Sequence, residues 1–111
     1  MKTQLRILHL TSYVGKRSFG IGSAVLNLAR GQQVLGHRVE IWSCDVKEEA
    51  RYLEQENNLL PNTIRTFPIF GPSRLAYSPK LERAIAQQAD EYDLIHQHGI
   101  WTAISRSTNY W

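Results

Sequence analysis

With 111 residues and a net charge of +3, the chain has room for one small domain or part of a larger one. Its 42% apolar and 10% aromatic content supports a packed core and excludes a disordered chain, and no apolar run approaches the roughly 20 residues of a membrane helix. The single cysteine, Cys44, rules out an internal disulfide, and Ile7-Leu8-His9-Leu10 is too short for a secretory signal, so a cytoplasmic location is expected.

Arg6-Ile7-Leu8-His9-Leu10-Thr11 is a short apolar run suited to a buried strand. A loop rich in glycine, serine and basic residues follows, from Ser12 to about Gly20. Ile21, Ala24, Val25, Leu28 and Ala29 then recur at helical spacing, and the pattern continues to Leu35. Gly36 stands where a helix ends on a glycine, because that residue takes the left-handed conformation cheaply. Val39-Glu40-Ile41-Trp42 reads as a second strand, parallel to the first across a right-handed helical crossover. Lys47 to Asn58 is charged and helix-prone but has little apolar face, which fits a surface helix or an irregular excursion.

Ile64-Arg65-Thr66-Phe67-Pro68 alternates like a third strand that Pro68 ends or marks as an edge, and Phe70-Gly71-Pro72-Ser73 is loop chemistry. Ser78-Pro79 opens another helix, with Ser78 as N-cap and Leu81, Ala84, Ile85 and Ala89 as its buried stripe. Tyr92 to Trp101 reads as a short buried strand that carries His96 and His98 into a cleft, with Thr102 starting a further helix. The alternation predicts an α/β fold: an incomplete Rossmann-like parallel sheet of about four strands, ordered 3-2-1-4, with flanking helices. Ligands of such sheets bind at the carboxyl ends of the strands where the order reverses, here between the first and fourth strands.

Charge is uneven. Residues 1–39 hold six Lys/Arg and no carboxylate, and all ten acids lie between Glu40 and Asp93. The basic third suits an anionic ligand or is simply a solvated face. Its cations are too scattered, and too far from aromatics, for a nucleic-acid partner.

Gly15, Gly20 and Gly22 precede the first helix, where exposed amides and the helix dipole suit a phosphate. The spacing is neither a dinucleotide fingerprint nor a Walker loop, so turn glycines without a ligand stay open. His96 and His98 share one face of an extended strand. A metal would need a third ligand that the sequence does not make evident, so no metal is expected. His9 reads as a hydrogen-bonded structural histidine. Cys44 has no histidine nearby in sequence to activate it. Asp45 follows the second strand, where dinucleotide folds hold a ribose, but the glycine fingerprint is lacking.

Ile7-Leu8-His9-Leu10-Thr11-Ser12, Gly20-Ile21-Gly22-Ser23-Ala24-Val25-Leu26-Asn27-Leu28-Ala29, Leu35-Gly36-His37-Arg38-Val39 and Tyr92-Asp93-Leu94-Ile95-His96-Gln97-His98-Gly99-Ile100-Trp101 together resemble the start of a family 4 (group 1) glycosyltransferase of the two-Rossmann-domain, GT-B type. That resemblance implies a retaining enzyme that takes a nucleotide-sugar donor as substrate and needs no cofactor. It places Gly20 and Gly22 by the donor diphosphate and His98, in a supporting catalytic role, beside the transferred sugar. Lys16, Arg17, His96, Gly99 and Trp101 would line the cleft, with Lys16-Arg17 in a loop less glycine-rich than the family's. The N-terminal domain shapes the acceptor site, for an acceptor sugar or glycolipid, and a basic face leaves contact with the inner surface of the membrane open.

In that family the donor is held by a C-terminal domain with two glutamates, seven residues between them, and basic residues for the diphosphate. Residues 1–111 are therefore expected to be a partial N-terminal domain, without the donor domain and inactive alone. Two alternatives stand beside it: a non-catalytic half that docks a separately encoded C-terminal domain, and a non-functional truncated product.

Overall fold

In the computed structural model, residues 4–11, 13–15, 21–69 and 78–98 are described. Lys16, Arg17, Gly20, Gly99, Trp101, the 70–73 loop and the helix expected from Thr102 lie outside them. Strands β1 (Arg6–Leu10), β2 (Arg38–Ser43), β3 (Ile64–Thr66) and β4 (Leu94–Gln97) alternate with helices α1 (Ile21–Val34), α2 (Lys47–Glu56) and α3 (Pro79–Gln88). All strand pairs are parallel, in the order β3-β2-β1-β4, as the alternation requires.

The period-2 pattern of β1 explains the layering. Ile7 joins Val25, Leu26, Ala29, Val39, Ile41 and Ile64 in one core cluster, which α1 supplies. Leu8 and Leu10 face the other way, with Trp42, Leu81, Ala84 and Ile85, so α3 covers the opposite face. Trp42, Ile41, Leu8 and Leu10 are completely buried. None of the helices of the described residues is long and apolar enough to cross a membrane.

Helix ends follow local chemistry. Gly36 takes a φ of +95°, and the amides of Gly36 and His37 donate to the carbonyls of Gln33 (2.9 Å) and Gln32 (3.1 Å), closing the last turn of α1. In α3, Ser78 Oγ accepts from the Leu81 amide at 3.2 Å while Pro79 occupies the first turn. Ser78 is only 1% exposed, so water cannot replace that acceptor. Ser78→Ala is expected to cost about 1 kcal/mol. A thermal melt should show a midpoint lower by about 4–8 °C; an unchanged midpoint would mean the cap contributes nothing.

The 47–58 segment takes the helical one of its two expected forms: Lys47–Glu56 is a regular helix, and its thin apolar face is completed by a buried acid. Ala50 is fully buried and Glu54 is 4% exposed. Glu54 Oε2 accepts from the Ile64 amide at 2.7 Å and from Arg51 Nη2 at 3.0 Å, tying α2 to β3. Arg51 also donates to the Ile64 carbonyl. Strand β4, expected to be buried, is instead an edge strand among the described residues, and its Leu94 is 52% exposed.

Candidate functional site

The strand order reverses between β1 and β4, and their register decides which side chains meet there. His9 lies opposite His96, and Leu10 opposite Gln97. The His98 amide then donates to the Leu10 carbonyl at 2.8 Å, carrying the pairing one step past β4. Since side chains alternate along a strand, His9, His96 and His98 fall on the same face of the sheet, the α1 side. His9 was expected to be structural; the fold makes it the third member of a histidine cluster.

A hydrogen-bond chain orders these rings. His9 Nε2 is 2.7 Å from Gln32 Oε1, on α1, and so donates its proton to that oxygen. Nδ1 of His9 is left as acceptor, and His98 Nε2, 2.8 Å away, donates to it. The rings of His96 and His98 stack with centroids 4.0 Å apart. His9 is completely buried, His98 half-buried and His96 exposed, so the cluster opens to solvent on the His96 side.

Burial pushes the His98 imidazole down to about 4, and the charges that His96 and His9 would carry act in the same direction. His9 also lies below the ordinary imidazole value, because burial outweighs its bond to Gln32. Both rings are therefore neutral at physiological pH. They can donate or accept a hydrogen bond or offer a lone pair, but they bring no positive charge.

The loop after β1 approaches the same end of the sheet. Tyr13 packs into the α3-side core cluster and Val14 into the α1-side cluster. Its latch is Asp45, 5% exposed, just after β2. Asp45 Oδ2 accepts from the Val14 amide at 2.8 Å and from Ser43 Oγ at 2.7 Å, while Oδ1 accepts from the Gly15 amide at 3.2 Å. Burial pushes this carboxyl up, and the three donors pull against it. Its oxygens are committed to the loop, so Asp45 positions backbone rather than offering itself to a ribose. The Glu49 carboxylate lies where a Cβ on residue 15 would stand, so a larger residue there would displace the end of that flexible side chain.

Gly22 is buried in the first turn of α1. Cys44 is buried as well, and desolvation with the neighbouring Asp45 charge holds its thiol at about 12, so it stays protonated and inert. Of the sequence-derived site residues, the described structure thus brings His96 and His98 together at the switch point and seats Gly22 in the first turn of α1. It adds His9, Gln32 and Asp45. The β1–β4 register, had it been followed residue by residue, would have signalled His9.

Residues 19–108 match the family described as "Glycosyl transferase 4-like domain". No curated protein and no solved structure matches the chain.

Proposed function

The chain belongs to the glycosyl transferase 4-like family, and from that premise we propose that these residues form the acceptor-side wall of a cleft for retaining sugar transfer from a nucleotide-sugar donor. The observation that carries the reading is His98: a neutral, oriented imidazole just beyond β4, beside β1, where open α/β sheets bind ligands. In such a transfer the bond from the anomeric carbon to the donor phosphate oxygen breaks and the nucleoside diphosphate leaves. The acceptor oxygen then bonds to the anomeric carbon on the face the diphosphate left, and its proton passes to the departing phosphate oxygen. Positive charge grows on the sugar ring in the transition state, as it does in glycoside hydrolysis. A neutral ring beside that centre can hydrogen-bond the sugar without the repulsion an imidazolium would impose.

Gly20 and Gly22, the latter in the first turn of α1, would approach the donor diphosphate through backbone amides and the helix dipole. Lys16, Arg17, His96, Gly99 and Trp101 would line the cleft. The partner in this reading is a donor-binding domain, supplied by the same or another chain, with an acceptor sugar or glycolipid as co-substrate. The work would take place in the cytoplasm or at the inner face of the membrane.

The test is donor-dependent transfer by the 111-residue polypeptide, alone and fused to a donor-binding domain of the same family. Alone it should transfer nothing; fused, it should transfer sugar only when donor and acceptor are both present. Turnover by the polypeptide alone would refute the one-wall reading. Inactivity of every well-folded fusion, across a panel of donors and acceptors, would refute the acceptor-side assignment.

A further inference from the structure

The histidine cluster contains more than the sugar-transfer reading uses. We propose that His9, His96 and His98 form a binding site for a divalent transition-metal ion of the zinc class, with three imidazole ligands and solvent completing the coordination. One ring nitrogen from each residue lies within 4.8 Å of the other two. Three nitrogens around zinc, each at about 2.0–2.1 Å, stand roughly 3.3 Å from one another. His9 Nδ1 and His98 Nε2 are 2.8 Å apart, so this pair opens by about half an ångström to admit an ion between them. His96 is exposed and stacked on His98, and it has the freedom to swing its ring inward.

The surroundings are built for ligation. Gln32 accepts the Nε2 proton of His9 at 2.7 Å, which fixes the tautomer and aims the Nδ1 lone pair into the cluster. Metal-bound histidines are oriented in this way by an acceptor on their outer nitrogen. When an ion enters, the proton on His98 Nε2 moves to the ring's other nitrogen, and the imidazole stays neutral. Imidazole donors favour zinc, cobalt, nickel or copper, whereas magnesium and calcium take oxygen ligands. The exposed His96 edge provides the entry path.

The site does not depend on sugar transfer. Both use His98, and an ion on Nε2 turns the ring's other nitrogen, the one left to the sugar, from acceptor to donor.

The test uses the full chain without an affinity tag, titrated with Co²⁺ and followed by its visible absorption, then with Zn²⁺ by calorimetry. One ion per chain is expected, with absorption bands of the intensity that four-coordinate cobalt gives. His96→Ala removes an exposed ligand, spares the core, and should weaken binding at least tenfold. Gln32→Leu should weaken it about 10–100-fold through the outer shell. His37→Ala, which removes the only histidine outside the cluster, should change nothing. Circular dichroism verifies that each variant is folded. Absence of one-to-one binding, or a folded His96→Ala variant that binds as tightly as the parent, overturns the proposal.

Discussion

Asp45→Ala is expected to destabilise the chain by about 3 kcal/mol, because three buried or half-buried donors lose their acceptor at once. Val14 and Ser43 are 3% and 0% exposed, so water cannot readily take over. An orphaned buried donor costs about 1–3 kcal/mol, and partial rearrangement of the loop keeps the sum near the lower end. Against a total stability of about 5–15 kcal/mol that is a large loss. The melting midpoint should fall by about 12–24 °C. Asp45→Asn keeps one carbonyl oxygen but turns an amide toward donors, so an intermediate loss is expected. Amide exchange should also quicken at Val14 and Gly15, since Asp45 fastens the loop to β2. A midpoint within about 3 °C of the parent would show that the carboxylate is not a latch.

The sheet was legible because parallel strands covered on both faces read as continuous apolar runs, and the helices between them carry the other period. Gly36 and the Ser78-Pro79 pair marked helix ends through backbone chemistry that is local to a few residues. Helix α2 was only half legible for the opposite reason. Its buried face includes Glu54, whose acceptor role is toward Ile64, ten residues away on β3. Hydrophobic periodicity cannot register a carboxylate buried for the sake of a distant amide. Leu94 was misjudged because burial of an apolar strand residue depends on a neighbouring strand, and that neighbour is a matter of topology.

The site divides along the same line. His96 and His98 share a short strand, so their common face could be read from spacing alone. His9 is 89 residues from His98 and could be placed beside it only by pairing β1 with β4 in register. Asp45 was singled out by its position after β2, yet its duty was missed. A carboxylate that follows a strand can serve a ligand or a loop, and only the geometry of its donors distinguishes the two. In both cases what sequence left out was the partner, not the residue.

His98→Ala should lower kcat for sugar transfer by about 10²–10³-fold in the assembled enzyme, the loss typical of removing one preorganised hydrogen-bonding group from a reacting centre. The acceptor KM should change little, because the ring is proposed to act where charge grows on the sugar rather than where the acceptor rests. The substitution also leaves His9 Nδ1 without its donor, a cost of about 1 kcal/mol that a thermal melt reads separately from turnover. His98→Asn retains a carbonyl oxygen able to accept, as the free ring nitrogen does, and should recover part of the rate, whereas a ring needed only for packing would be better replaced by leucine. Lowering the pH supplies an independent check. With its imidazole held down at about 4, His98 stays neutral well below the pH at which an ordinary histidine gains charge. The fall in kcat/KM attributable to its protonation in the free enzyme should therefore centre near pH 4 rather than near 6.5. A folded His98→Ala enzyme within threefold of the parent kcat would remove the residue from the chemistry.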